Sequence, residues 1–248
     1  MATMHRAPTI SRRDFLRVAS LAAAAAGVSL LPGCKKIPEY PTCSYQPKQI
    51  SFSGYDWLVK CNGERVGPGP NYFSESPENV YVDREGVLRL GVTRRGRAWH
   101  TSEVYSPHSL GYGTYTFEVI NPPADNNTVL GLFVYEDDFH EIDVELARWG
   151  KRDGHNAQFT VQPFDVPGNM NRYEVAPKDV KCGFDWRAKG IDFFLSSGGK
   201  EIGWNYRGKS IPEPGMERAR MNLWLMGGEP PSKNKEIQVG IRSFSFSP

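Results

Sequence analysis

The chain has 248 residues, of which 30 are Lys or Arg and 28 are Asp or Glu, so its formal net charge is +2 at pH 7. Four arginines and a single acid lie in the first 33 residues, which leaves the remainder close to neutral. This balance excludes the basic patch typical of a nucleic-acid-binding protein. The remainder, about 215 residues, suits one large β domain as well as two small domains.

The first 33 residues have the pattern of an export signal. Residues 11–16 (SRRDFL) precede an Ala- and Leu-rich apolar run to Leu31, which is typical of a twin-arginine signal peptide. Leu31 to Cys34 (LPGC) resembles a lipobox, whose cysteine is lipidated and begins the mature chain. We therefore predict a signal over residues 1–33, lipidation of Cys34 and a periplasmic or cell-surface location. Conventional cleavage and an uncleaved anchor remain as alternatives, although the run is short for a span of about 20 residues.

Residues 34–48 carry lysines and prolines without apolar periodicity, which predicts a tether before a folded domain over residues 49–248. Besides Cys34 the chain has Cys43, Cys61 and Cys182. In an exported protein this number predicts one disulfide and one free thiol, and the spacing leaves the pairing open. The spacing is not that of a zinc site.

From Ile50 onward, short β-rich segments are separated by Gly, Pro, Asn and Asp, and no long helical pattern occurs. This pattern predicts an all-β fold. In chain order, the clearest predicted strands cover residues 87–92, 99–106, 139–146, 156–162 and 220–226.

The strand over residues 139–146 (FHEIDVEL) alternates acidic and aliphatic residues. A period of two places Glu141, Asp143 and Glu145 on one face and the aliphatic residues in a core. An ordinary half-buried strand has the same alternation. However, three neighbouring carboxylates repel one another and raise each other's pKa, which costs stability unless the group has a use. Retaining cleavage of a glycosidic bond uses two such carboxyl groups, one as nucleophile and one as acid and then base.

The motif Glu141 to Glu145 (EIDVE) resembles the catalytic signature of glycoside hydrolase family 16. Four further blocks occur in the order expected for that family. They are Glu103-Val104 with residues 111–119 (GYGTYTFEV), residues 127–135 (NTVLGLFVY), residues 184–186 (FDW) and residues 221–224 (MNLW). The resemblance covers about residues 52–246. It implies a jelly-roll β-sandwich of two antiparallel sheets with a concave cleft, and hydrolysis of β-glucans or related polysaccharides with retention of configuration.

The resemblance also implies roles for individual residues. Glu141 would be the nucleophile, Glu145 the general acid and base, and Asp143 the supporting acid between them. Glu103, Asn222 and Trp224 occupy positions at which similar proteins contact sugar. One residue between successive acids is the form of licheninases, which favours mixed-linkage β-1,3-1,4-glucan as the substrate.

Other predicted substrate contacts come from strand parity, and a few occupy positions at which similar proteins usually have a different residue. Asn156, Gln158, Thr160 and Gln162 share a face, and the longer glutamine amides suit sugar hydroxyls better than the other two, for which a solvated face is expected. Trp149 has the parity of Glu145, whereas Trp57, Trp186 and Trp204 are assigned to packing, and His140 to the core side. The departures are Tyr105, where similar proteins often have Arg, Phe139, where they often have Trp, and Gln162, where they often have an aromatic residue.

The predicted partners are a polysaccharide substrate and a membrane reached through lipidated Cys34, with no nucleic acid and a monomeric state. No cofactor is predicted. Similar proteins often carry a structural calcium, but no ligand cluster for it is recognisable in the sequence. Two alternative functions remain open. One is transglycosylation, in which a second sugar replaces water as the acceptor. The other is a non-catalytic carbohydrate-binding lipoprotein of the cell envelope.

Overall fold

The structure is a computed structural model that describes residues 39–152, 154–176 and 178–248. The predicted signal over residues 1–33 and the predicted lipidation site Cys34 lie outside the described residues. Within the described ranges, no helix is long and apolar enough to cross a membrane.

The described residues form sixteen β-strands and one 3-10 turn, Met226–Gly228, which follows β15. The strands are β1 Gln49–Phe52, β2 Tyr55–Val59, β3 Tyr72–Phe73, β4 Val80–Val82, β5 Leu88–Arg95, β6 Ala98–Tyr105, β7 Gly113–Ile120, β8 Thr128–Asp137, β9 His140–Ala147, β10 Ala157–Val161, β11 Met170–Tyr173, β12 Val180–Arg187, β13 Gly190–Ser197, β14 Lys200–Tyr206, β15 Arg218–Leu225 and β16 Ile237–Ser247. The five strands predicted from alternation correspond to β5, β6, β9, β10 and β15.

The strands form two layers. The front sheet has the order β11-β10-β9-β8-β15-β6-β2-β1, and the back sheet has the order β4-β5-β16-β7-β12-β13-β14. The β5–β6 hairpin pairs Thr93–Arg95 with Ala98–His100 and thereby joins the two sheets into one curved surface. In the described part of the chain all pairs are antiparallel except β3 with β6. The predicted jelly-roll sandwich is therefore confirmed.

The hydrophobic core lies between the two sheets. On β9, the aliphatic residues Ile142, Val144 and Leu146 point into it and are fully buried. They face aromatic residues of the back sheet such as Phe117 and Phe184, which belong to the same cluster. Full burial of each such side chain contributes about 1.5–3 kcal/mol relative to exposure. The alternation of β9 therefore anchors one face of the strand and presents the other face, with its three acids, on the outside of the front sheet.

The N-terminal part of the described chain is attached to the sandwich. Cys43 and Cys61 form a disulfide with a Cα–Cα distance of 5.6 Å, and Cys182 is a buried free thiol. The backbone N–H of Ser44 and the Ser44 hydroxyl both donate to Glu75 Oε1 at 2.5 Å. One disulfide and one free thiol match the count expected from the sequence. The bonds of residues 43 and 44 also show that the segment assigned to a tether is held against the domain well before residue 49.

Candidate active site

The outer face of the front sheet, here called the front face, carries the three acids of β9. Residues that pair directly across two antiparallel strands point to the same face. Glu141 pairs with Tyr135 of β8, Asp143 with Phe133 of β8, and Glu145 with Gly131 of β8. On the other side of β9, Asp143 pairs with Thr160 and Glu145 with Gln158 of β10. The acids therefore lie in three successive rows that cross the sheet.

Gly131 makes room for a polar group beside Glu145. A Cβ atom at this position would lie 2.6 Å from Asn222 Oδ1 of β15, which is too close for any side chain. In its place, the Asn222 side chain accepts the Gly131 N–H at 3.2 Å. The predicted sugar contact Asn222 is therefore brought to the row of Glu145, one strand beyond β8.

The three carboxylates differ in their exposure. Glu141 is 3% exposed and Asp143 is 5% exposed, whereas Glu145 is half-buried. Glu145 is therefore the acid of the three with the most access to solvent.

Glu145 is held by two donors. Its Oε2 accepts hydrogen bonds from Gln158 Nε2 at 3.0 Å and from Trp149 Nε1 at 3.3 Å. Arg172 of β11 supports both donors, because its Nε donates to Gln158 Oε1 at 2.6 Å and its guanidinium lies 4.3 Å from the Trp149 ring centre. Burial lowers the pKa of Arg172, against the opposing effect of the Glu145 charge. Gln158 and Trp149, both predicted site residues, thus orient Glu145, which the sequence also indicated. The sequence analysis did not indicate Arg172.

Gln162 contacts Asp143 through its side chain and Glu141 through its backbone. Its side-chain Nε2 lies 3.5 Å from Asp143 Oδ2, and its backbone N–H donates to the Glu141 carbonyl at 3.0 Å. Thr160 accepts a hydrogen bond from Gln158 Nε2 at 2.8 Å, while Asn156 bonds the backbone of Val175. Among the four polar residues over 156–162, the side chains of the two glutamines are thus the ones that reach the acids. This agrees with the prediction from the length of the glutamine side chain.

Glu103 of β6 is the centre of a second polar group. Its side chain is 1% exposed and accepts hydrogen bonds from Arg220 Nη1 at 2.7 Å, Lys60 Nζ at 3.1 Å and Asn222 Nδ2 at 3.3 Å. Burial lowers the pKa of Lys60, with the neighbouring Glu103 charge acting in the opposite direction. The Glu103 carboxylate therefore holds Lys60, Arg220 and Asn222 in place on this face.

Arg220 lies between two tyrosines. Its guanidinium is 5.2 Å from the ring centre of Tyr105 and 5.1 Å from that of Tyr135. Tyr105 stands where similar proteins often have Arg, and here a guanidinium from the adjacent strand β15 lies against its ring. Arg220 has the same strand parity as Asn222 and Trp224, so the sequence could have indicated its position on the front face. Lys60 follows the end of β2, and no alternation in the sequence indicates its position.

Tyr135 is a front-face hydroxyl close to Glu141. Burial, followed by the negative charges of Asp138 and Glu141, raises the pKa of Tyr135 to about 12. The hydroxyl therefore keeps its proton at neutral pH, and it lies 3.3 Å from Asp138 Oδ1.

The remaining predicted aromatic contacts have different surroundings. Trp224 is only 8% exposed and packs with Phe73, Val129 and Ala147, and Trp149 lies against the same cluster. Phe139 is in the β8–β9 turn and is 55% exposed. Strand β9 begins at His140, so the alternation of β9 does not extend to Phe139.

His140, the first residue of β9, also differs from the expectation. Alternation placed it on the core side, but it is exposed, and its Nδ1 lies 2.8 Å from Asp137 Oδ1. Its expected core position is therefore wrong.

Solved structures show what this arrangement is similar to. A β-glucanase from Bacillus licheniformis superposes with a TM-score of 0.64 at 18% identity, over 77% of this chain and 92% of that one. The chain has the β-glucanase fold. A β-1,3-1,4-glucanase (lichenase) derived from a mouse hindgut metagenome superposes with a TM-score of 0.60 at 18% identity, over 82% and 100% of the two chains. A β-1,3-glucanase from Mycobacterium marinum gives 0.61 at 17% identity, over 75% and 88%.

No protein-family model matches the sequence, and no curated protein matches it either. The expected resemblance is therefore confirmed at the level of the β-glucanase fold. On that fold, the front face brings together all three acids of β9 with Trp149, Gln158, Gln162 and Asn222. In the described ranges, no group of three or more His, Cys, Asp or Glu side chains is arranged to hold a metal ion.

Proposed function

We propose that the protein is a retaining endo-glycoside hydrolase that cleaves a β-linked glucan. The observation that carries the proposal is the difference between Glu141 and Glu145 on one strand. Glu141 is buried beside Tyr135, whereas Glu145 is half-buried and held by Gln158 and Trp149. A retaining enzyme needs this division, with one carboxylate fixed as a nucleophile and the other able to gain and lose a proton.

The reaction has two steps. In the first, Glu145 gives its proton to the glycosidic oxygen while a Glu141 oxygen bonds to the anomeric carbon, and the leaving sugar departs with that proton. In the second, Glu145 takes a proton from water, whose oxygen bonds to the anomeric carbon and releases Glu141. The net change is addition of one water across one glycosidic bond, with two inversions that restore the configuration. No cofactor enters either step.

The spacing of the two acids is compatible with this mechanism. Their Cα atoms are four residues apart, or about 13 Å at roughly 3.3 Å per residue. Retaining enzymes have carboxyl groups about 5 Å apart, so both side chains must lean toward Asp143. The bonds from Gln158 and Trp149 hold the Glu145 carboxylate in one position.

We further propose mixed-linkage β-1,3-1,4-glucan as the substrate. The support is the uninterrupted EIDVE motif together with the similarity in fold to a β-1,3-1,4-glucanase. A β-1,3-glucanase has the same fold at a comparable TM-score, so a β-1,3-glucan is the first competing substrate.

The proposed location is outside the cytoplasm, with the chain anchored by lipid at Cys34. The Cys43–Cys61 disulfide supports export, because disulfides persist in oxidising compartments. The twin-arginine pattern and the lipobox-like LPGC support the route and the anchor.

The decisive experiment measures reducing-end release by the purified protein on lichenan, laminarin, xyloglucan, agarose and carrageenan. Glu141→Gln keeps the size of the side chain and removes the nucleophile. We expect release on lichenan, with the β-anomer formed first in proton NMR spectra, and a loss of at least about 1,000-fold in the variant. Circular dichroism and thermal unfolding check that the variant is folded.

Three outcomes would contradict the proposal. A variant that keeps more than about a tenth of the activity would exclude Glu141 as the nucleophile. Formation of the α-anomer first would exclude retention. Equal binding of one polysaccharide by both proteins, without release from any substrate, would instead support the non-catalytic binding protein.

A further inference from the structure

A pocket of about 420 Å³ opens at an edge of the sandwich, and none of its lining residues belongs to the front-face site. One wall is the loop over residues 166–169, which connects β10 to β11. The other wall is residues 204–210, the end of β14 and the turn that follows it. Strand β14 is the last strand of the back sheet, so the pocket lies where the edge of one sheet meets a loop of the other.

Trp204 forms a flat apolar side of this pocket. Its ring stacks on Phe193 at a centroid distance of 5.1 Å and an interplanar angle of 21°, and Phe193 stacks on Phe159 at 5.0 Å and 20°. The indole is thus the outermost of three nearly parallel rings, and it is half-buried. A ring that is held in place by the core loses little conformational entropy when a ligand packs against it.

The polar side of the pocket is also held in place. Tyr206 donates its hydroxyl hydrogen to Asn169 Oδ1 at 2.7 Å, and Asn169 Nδ2 donates to Ser210 Oγ at 2.9 Å. The Ser210 backbone N–H donates to the Tyr206 hydroxyl at 3.1 Å. A serine hydroxyl accepts and donates at once, so Ser210 can pass its own hydrogen to a bound hydroxyl. The exposed ammonium of Lys209 is a further donor at the rim.

This combination suits a sugar. A pyranose ring has apolar C–H faces, which pack against a flat aromatic surface, and hydroxyls around its rim, which both donate and accept. Val166 adds apolar surface at the mouth and is 42% exposed. The pocket volume lies in the range of about 300–1,000 Å³ that is usual for small-ligand sites.

We propose that this pocket is a second saccharide-binding site, which holds part of the same glucan chain that enters the front face. The inference rests on the proposed function. The first wall belongs to the loop over residues 162–169, which begins with Gln162, and the Gln162 side chain lies near Asp143. A chain that leaves the front face past Gln162 therefore meets this loop, and a second attachment raises the effective concentration of polymer at the acids.

The test uses two variants of the pocket and one control, all in the Glu141→Gln protein so that the polymer is not consumed. Val166→Asp places a charge at the exposed mouth, and Trp204→Ala removes the stacking ring. Tyr45→Asp is the control, since Tyr45 is 97% exposed and does not line the pocket. Retention is measured by electrophoresis through gels that contain lichenan.

We expect both pocket variants to lose about fivefold in affinity for lichenan while the control is unchanged. With Glu141 restored, KM for lichenan should rise by a similar factor, and hydrolysis of a short soluble substrate should stay the same. Retention within twofold of the parent in folded Val166→Asp would overturn the proposal. Because Val166 is exposed, that variant decides the matter even where Trp204→Ala fails to fold.

A direct measurement separates this proposal from the proposed function. The indole N–H resonance of Trp204, assigned through its loss in Trp204→Phe, is followed while a soluble β-1,3-1,4-linked tetrasaccharide is added. A shift in a protein that hydrolyses nothing would support the pocket and contradict the enzyme. Hydrolysis without any shift or loss of retention would support the enzyme and contradict the pocket.

Discussion

Glu145 and Glu141 have the same side chain, but their surroundings on the front face differ. Gln158 and Trp149 donate to Glu145 and leave it half-buried, whereas Glu141 lies almost covered beside Tyr135. Glu103, a third front-face glutamate, is covered by Lys60, Arg220 and Asn222. Residue type alone therefore does not determine the surroundings of a glutamate on this face, because these depend on which strands lie beside it.

Glu145→Ala tests the proton-transfer role at the scale of one residue. The variant should lose at least about 1,000-fold in kcat on lichenan, because the leaving sugar no longer receives a proton. An aryl β-glucoside oligomer with an acidic phenol as leaving group needs no such proton, so its first step should be nearly unchanged. Added azide, which needs no general base, should accelerate turnover and yield a β-glycosyl azide.

Gln158→Ala serves as the matched control for this prediction, since it removes a donor to Glu145 and leaves the acid itself in place. It should slow both substrates without any rescue by azide. Equal losses of Glu145→Ala on lichenan and on the aryl substrate would contradict the assignment of Glu145.

At the scale of elements, the site depends on strands that are far apart in the chain. Strand β9 supplies the acids, β10 the glutamines and β15 the groups around Glu103, while loops at the strand ends hold these elements in register. Asp125, in the β7–β8 loop, is one such link. It accepts hydrogen bonds from the Ser232 N–H at 2.8 Å and from the Asn127 N–H at 2.9 Å. It thereby joins its own loop to the loop between β15 and β16.

The pH dependence of stability tests this link. Burial raises the pKa of Asp125, but the hydrogen bonds from Ser232, Asn127 and Thr128 outweigh it, and the pKa lies below its ordinary value of 3.8. A depressed carboxyl pKa stabilises the fold above the pKa of the unfolded chain, and this contribution is lost as pH falls through the folded value. Asp125→Ala should therefore lower Tm at pH 7, and the difference from wild type should shrink below about pH 4.

The exposed loop residue Asp165 provides the control, because Asp165→Ala should leave Tm unchanged at both pH values. A Tm difference for Asp125→Ala that is as large at pH 3 as at pH 7 would show that the carboxylate charge does not stabilise the loops.

At the scale of the whole molecule, the predictions concern the cellular location of the folded domain. Lipidation of Cys34 should place the chain in the membrane fraction, and its N-terminal peptide should begin at Cys34 with the added mass of lipid. Cys34→Ser should move the domain out of the membrane fraction or leave the precursor uncleaved. Cell fractionation and mass spectrometry of the N-terminal peptide measure both effects.

Replacing Arg12 and Arg13 by Lys tests the export route separately, since the charge is kept and the twin-arginine pattern is lost. That variant should remain in the cytoplasm with its signal attached. If the wild-type chain is exported without lipid, the prediction of a lipid anchor at Cys34 is contradicted, whereas the prediction of twin-arginine export is not.

The sequence by itself determined the all-β class and the three acids on one face of β9, because both follow from a local period of two. It also indicated Trp149 through its parity with Glu145, Gln158 through the polar face of its own strand, and Asn222 through the family resemblance. Only the tertiary structure decided the Cys43–Cys61 pair, the approach of Arg220 and Lys60 to Glu103, and the burial of Trp224.

The reason for this division is physical. These contacts join residues 18 to more than 100 positions apart, and their geometry depends on which strands pair and in which register. Trp204 is a further example. The sequence predicted that it packs in the core, and it stacks on Phe193. The pocket beside it could not be predicted, because it forms only where β14 meets the β10–β11 loop.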